Sequence, residues 1–305
     1  MHRAPVREVL RAPGLSTYRK LQLERVGLAK RFAKERLGLN DPGSYEHLCL
    51  PERKALSWVV SACPADSLRP HTWWFPLVGE VPYKGFFDPR EADEEARNLA
   101  SRGLVTHVRP VEAYSLLGWL PDPLYTPMLD QSPERLVEVI LHELTHATVY
   151  VPGRSDFNEA FATFVGRQGA RLFWATGWAS GSISIAELER QERLRDHRTV
   201  LMRDLVRDLE DLFTEPWSRD TRLGRAEARL RRAAADLGRQ AGASPPLTLA
   251  EVSLFRTYDS GSWAFERMLA ARDGDLRTFI RRVGLTLAED KSTSRVLASW
   301  QTPSP

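Results

Sequence analysis

His142-Glu143-Leu144-Thr145-His146 is the stretch of this chain whose residue types and spacing can do chemistry. Two imidazoles four residues apart share one face of a helix, with Cβ atoms about 5–6 Å apart. Both can reach one ion, while Glu143 on the adjacent face meets a water at that ion. The surrounding run, VEVILHELTHATVYV (137–151), is apolar enough to be buried. Two imidazoles and a carboxylate on a buried stretch cost free energy unless something satisfies them. A cation would do so; the competing reading is a pair of core histidines with hydrogen-bond partners.

A catalytic zinc site takes three protein ligands and leaves one position open for water. Glu159, in Asn158-Glu159-Ala160-Phe161-Ala162, follows His146 by too many residues to share its helical turn. A turn at 151–155 would fold a second helix back and bring Glu159 to the ion. Asp156 and Glu159 also have the spacing of a capping box, in which Glu159 would only bond the N-cap amide. The small and apolar neighbours Ala160, Phe161 and Ala162 favour the ligand reading. One zinc per chain on His142, His146 and Glu159 would bring its water towards a pKa of about 7. Glu143 would then act as general base in attack on a carbonyl. A tyrosine should donate to the oxyanion; Tyr114, Tyr83 and Tyr258 are candidates, whereas Tyr150, inside the motif helix, reads as packing. His2, His47, His71, His107 and His197 have no ligand spacing to one another.

The elements that must position these residues are legible in outline. Ser132 suits an N-cap, Pro133 the first helical position and Glu134 the positive end of the dipole, so a helix is expected from there to about residue 150. Pro152-Gly153 ends it, and a second helix runs from about 156 to 174. Upstream, 17–39 has helical periodicity and stops at Asn40-Asp41-Pro42-Gly43. Residues 55–63 and 72–78 read as strands, with the aromatic run Trp73-Trp74-Phe75 expected in the core. Glycines and Pro82 interrupt the pattern around Tyr83. A helix at 91–102 and a strand at 104–114 follow. Beyond 183 the chain reads as two long Arg/Glu/Leu-rich helices, 185–213 and 221–240, then a helical region over 247–296. The fold class is therefore α+β: one unit of 305 residues, with an α+β lobe at 1–180 carrying the site and a helical lobe at 181–305.

Composition bounds the rest. The chain has 42% hydrophobic and 27% charged residues, enough for a substantial core. A net charge of +3 gives no argument for nucleic acid. No apolar run reaches the roughly 20 residues of a membrane span. Cys49 and Cys63 could form at most one bridge. The first eleven residues carry charge without an apolar h-region, which reads as no export signal.

WWFPLVGEVPYKGFF (73–87), VEAYSLLGWLPDPL (111–124), HELTHATVYV (142–151) and FNEAFATFVG (157–166) resemble, in order and spacing, a bacterial family of zinc aminopeptidases. The likeness runs over about residues 5–287. The Asn158-Glu159-x-Phe161-Ala162 element is also similar to the motif of aminopeptidase-N-type gluzincins whose glutamate binds zinc. The resemblance implies a zincin-like fold and zinc peptidase chemistry at His142, Glu143, His146 and Glu159. It further implies that Tyr83, Tyr114 and Ser115 belong to the site region. The Gly-rich acidic strand that holds the substrate amine in those gluzincins is not evident; Glu112, on an expected edge strand, is the candidate for that role. Members of the family usually begin with an export signal of lipoprotein type. That implies an envelope protein whose leading segment is missing here, or else a cytoplasmic one. The expected activity is aminopeptidase action on small peptides. The alternatives are an endopeptidase with the same zinc site and a non-catalytic envelope binding protein.

Overall fold

The computed structural model describes residues 2–50, 57–76, 79–111, 122–179, 185–241, 246–259, 262–271 and 273–289, and is mixed α+β. Elements are numbered in chain order. The chain forms two compact units, each assembled from separate segments. The first joins Met1–Leu56, Val111–Ser180 and Asp259–Pro305; the second joins Ser57–Pro110 and Gly181–Tyr258. One boundary falls between Ser180 and Gly181, while 57–110 group with the residues after it and 259–305 with the residues before it.

The first unit is built on helices. Short elements β1 (His2–Pro5) and α1 (Val6–Val9) lead into α2 (Thr17–Phe32), which Ser16 caps by accepting the Arg19 N–H at 3.3 Å. A π turn over Ala33–Leu37 and Gly38 in the left-handed region at φ 71° end that helix. Strand β2 (His47–Leu50) pairs antiparallel with β1 and parallel with β8 (Leu124–Tyr125). The motif helix α4 (Pro133–His146) starts as expected, with Ser132 accepting from the Arg135 N–H. It ends four residues earlier than expected. Thr148 and Val149 both bond the Thr145 carbonyl, Thr148 Oγ1 donates to the Leu144 carbonyl, and Asn40 Nδ2 donates to the Ala147 carbonyl. β-branched residues at 145, 148 and 149 and a proline at 152 make this the cheap place to stop.

Helix α5 (Ser155–Ala175) returns along α4, and α9 (Ser262–Ala270) and α10 (Leu276–Glu289) pack behind it. One face of α5 carries Phe157, Phe161 and Phe164, which meet Phe265 and Phe279 at ring separations of 5.5–6.1 Å. Such edge and tilted contacts add about 0.5–1.5 kcal/mol each beyond area burial. Locking that face inward turns Glu159, Ala162, Gly166 and Gly169, which lie on the opposite side of a 3.6-residue helix, towards α4.

The second unit has the sheet order β6–β3–β7, made of β3 (Ser57–Pro64), β6 (Lys84–Phe86) and β7 (Leu104–Val111). Helix α3 (Pro89–Ser101), capped by Asp88, covers β3 through Ala92, Ala96 and Leu99. Strands β4 (Trp73–Phe75) and β5 (Gly79–Val81) pair antiparallel, with Gly79 in the left-handed region at φ 76°. The aromatic run is not core: Trp73 is half-buried and donates to Glu95, while Trp74 is 68% exposed. Helices α6 (Ile185–Thr214), α7 (Arg219–Ala241) and α8 (Leu249–Asp259) share a second core with Cys63 and Leu68. The helical region expected over 247–296 contains α8, α9 and α10, divided between the units, and its last residues, 290–296, lie outside the described residues. Cys49 and Cys63 are both buried free thiols, and burial pushes Cys63 up to about 12. No helix among the described residues is long and apolar enough to cross a membrane.

Candidate metal centre

His142 and His146 lie one turn apart near the C-terminal end of α4, and Glu159 lies in the first turns of α5. The two Nε2 atoms are 3.1 Å apart. Glu159 Oε2 is 3.5 Å from His142 Nε2, and Oε1 is 3.9 Å from His146 Nε2. Four-coordinate binding with bonds of about 2.0–2.1 Å requires donor atoms about 3.3 Å apart. The observed separations bracket that figure, so these three residues could hold one metal ion. Among the described residues no other cluster of His, Cys, Asp or Glu does so.

The local electrostatics suit the same purpose. His146 is buried, and desolvation lowers its pKa to about 4, so its imidazole is neutral and able to ligate at ordinary pH. Burial also pulls His142 down, but the hydrogen bond with Glu159 and the charges of Glu143 and Glu159 outweigh it and raise the pKa. Buried His146 Nδ1 has no hydrogen-bond partner among the described residues, so nothing competes with Nε2 for the ring's orientation except the cluster itself. Glu143, half-buried, lies on the adjacent face of α4.

Two features bring the helices to this geometry, and neither has a sequence signal as plain as the histidines. The first is Asn158. Its Oδ1 accepts from the Val151 N–H and its Nδ2 donates to the Val151 carbonyl, both at 2.8 Å. This side chain replaces a strand partner for one residue of the α4–α5 turn and fixes where α5 begins. Its position beside Glu159 in the Asn-Glu pair is the clue that was available. The second is Gly166, against which α4 packs so closely that a Cβ would lie 2.9 Å from the Glu138 carbonyl and 3.3 Å from His142 Cβ. The capping-box alternative does not occur: the N-cap of α5 is Arg154 without a side-chain cap bond, and Asp156 pairs with Arg154.

Among the tyrosines the structure redistributes the candidates. Tyr114, Ser115 and Glu112 lie outside the described residues. Tyr83 and Tyr258 belong to the second unit, Tyr83 half-buried between β5 and β6. Tyr150 is not inside the helix. It stands past the end of α4, half-buried, with its ring 6.5 Å from that of His146 in an edge-on arrangement. Burial and the nearby Glu159 carboxylate raise its pKa. Tyr45, which sequence reasoning did not single out, is buried with φ 65°, a backbone region costly for an aromatic residue. Burial chiefly, and then the charge of Glu143, raise its pKa well above the usual value.

In this α+β chain two helix-borne imidazoles and a carboxylate converge on one point and could hold a metal ion. The chain belongs to the family described as "Putative aminopeptidase", whose family model matches residues 1–297. No curated protein and no solved structure matches it.

Proposed function

We propose that this protein is a zinc-dependent metallopeptidase with a zincin-like site, acting as an aminopeptidase on small peptides. The observation that carries the reading is the convergence of His142, His146 and Glu159 within ligand distance of one another, in a chain of an aminopeptidase family. Zinc held by these residues would polarise the scissile carbonyl and acidify an attacking water. The chain's own residues then have distinct tasks. His146, kept neutral by burial, and His142 present lone pairs from one helix face, and Glu159 adds the negative charge from the facing helix. Glu143 lies on the same helix one residue past His142, where it accepts the proton of the attacking water and returns it to the leaving amine.

The test is hydrolysis of leucine p-nitroanilide and of its N-acetyl derivative by zinc-loaded protein, for wild type and Glu143→Gln. The expected result is cleavage of the free-amine substrate only, abolished in the variant while zinc content is unchanged. A zinc-loaded protein that cleaves neither these nor a mixed peptide library would refute the assignment. Cleavage of internal bonds in acetylated peptides would replace the exopeptidase with an endopeptidase.

A further inference from the structure

Charge develops on the oxygen of a scissile carbonyl as a water attacks it, and a fixed hydrogen-bond donor at that oxygen is among the largest contributions a site can make. The hydroxyls of the first unit near the metal-capable cluster are mostly committed elsewhere. Thr145 Oγ1 donates to the Leu141 carbonyl and Thr148 Oγ1 to the Leu144 carbonyl, each at 2.7 Å. Tyr18 donates to the Gln131 carbonyl, at the other end of α4. Tyr45 is packed into the core.

Tyr150 differs from all of these. Its hydroxyl has no hydrogen-bond partner among the described residues, its ring stands edge-on to the ligand His146, and it is only half-buried, so a substrate can reach it. Its backbone is also held. The neighbouring Val151 is clamped on both its N–H and its carbonyl by Asn158, the residue that precedes Glu159. One clamp therefore sets the third ligand and the phenol together. Stopping α4 at His146 is what frees Tyr150 from helix packing.

We propose that the Tyr150 hydroxyl is the donor that meets the scissile carbonyl oxygen. The assignment rests on the peptidase reading above. The phenol keeps its proton throughout: it donates a hydrogen bond as charge builds and relaxes as charge is lost, and no covalent bond to Tyr150 forms or breaks.

Tyr150→Phe tests this with three readouts on the zinc-loaded protein. The first is zinc affinity by chelator competition, expected unchanged, since phenylalanine keeps the ring against His146. The second is steady-state kinetics on leucine p-nitroanilide, where kcat should fall on the order of a hundredfold with KM within about threefold. The third needs no turnover: calorimetric binding of the phosphonic-acid analogue of leucine, which carries tetrahedral oxygens and should bind at least about tenfold more weakly to the variant. Equal kcat and equal analogue affinity in the two proteins would overturn the role of Tyr150 and leave the peptidase reading standing. A wild type that takes up zinc and binds the analogue through Tyr150, yet cleaves no peptide, would support the phenol's placement and sink the choice of reaction. A wild type that takes up no zinc would overturn both.

Discussion

Gly166→Ala perturbs the distance between the two helices that carry His142, His146 and Glu159 without changing any of these three candidate ligands. A Cβ at Gly166 would stand 2.9 Å from the Glu138 carbonyl oxygen and 3.3 Å from both His142 N and His142 Cβ. These are backbone and near-backbone atoms of a helix, which cannot swing aside as the tip of a long side chain can. Ordinary contact begins near 3.4 Å, so α5 must move from α4 by roughly 0.5 Å at this point. Forcing one extra methyl into a packed interior costs about 1–3 kcal/mol. Replacing glycine within a helix returns about 1 kcal/mol, leaving a net loss of about 0–2 kcal/mol in the metal-free protein. The effect on zinc should be larger. Metal–ligand distances tolerate about 0.2 Å, and the displaced segment includes His142 itself. Zinc affinity is expected to weaken by about 10–100-fold, the range seen when groups supporting a ligand are lost. Chelator competition gives the affinity, and thermal melts with and without zinc separate it from general destabilisation. Gly224→Ala is the control: that glycine lies within α7 with nothing near its missing Cβ, so alanine should stabilise by about 0.5–1 kcal/mol and leave zinc binding alone. A Gly166→Ala protein that binds zinc within twofold of wild type would refute the argument that close approach at Gly166 sets the site.

Two more predictions bear on the same geometry. Asn158→Ala strips both bonds from the half-buried Val151 backbone, which should destabilise the protein by about 1–3 kcal/mol at about 0.5–1.5 kcal/mol per bond; limited proteolysis should then cut within residues 150–155, and an uncut, equally stable variant would remove Asn158 from the account. Zinc affinity should depend on pH through His142, whose pKa is raised above 6.5 by its bond to Glu159 and the nearby carboxylates despite burial. Below that raised value a proton must leave for the metal to bind, so affinity falls up to tenfold per pH unit as pH drops and is flat above it. His146, at about 4, adds a second loss only in strong acid. An affinity independent of pH between 5.5 and 8 would contradict this.

Helices with strong local signals are legible from residue types and spacing alone. Ser132 and Pro133 open α4 and Gly103 follows α3, because each is decided by its own backbone conformation. Two boundaries differ from the expected ones: Asp88 caps α3 ahead of the expected start at 91, and Gly38 ends the segment after α2 ahead of the expected stop at 40–43. The failures share a cause. The four-residue strands β1 and β2 exist because they pair with each other and with β8, and strands this short carry too little periodicity to announce themselves. The aromatic run at 73–75 gives opposite answers at adjacent residues, since a strand's neighbours point to opposite faces and only packing says which face is covered.

The sequence by itself determined the chemistry available here: two histidines at helical spacing, a glutamate between them and an Asn-Glu pair after a proline turn, all fixed by residue type and local geometry. Tertiary structure decided what Glu159 faces: it makes no capping box at the start of α5 and instead stands beside His142 and His146, where the three could hold a metal ion. Phenylalanines 157, 161 and 164, buried against α9 and α10 more than 90 residues later, rotate α5 so that Glu159 meets the histidines. The same fold stops α4 four residues short and leaves Tyr150 beside the site. These are long-range outcomes of packing, in which a residue's role depends on partners that its neighbours in the chain do not encode.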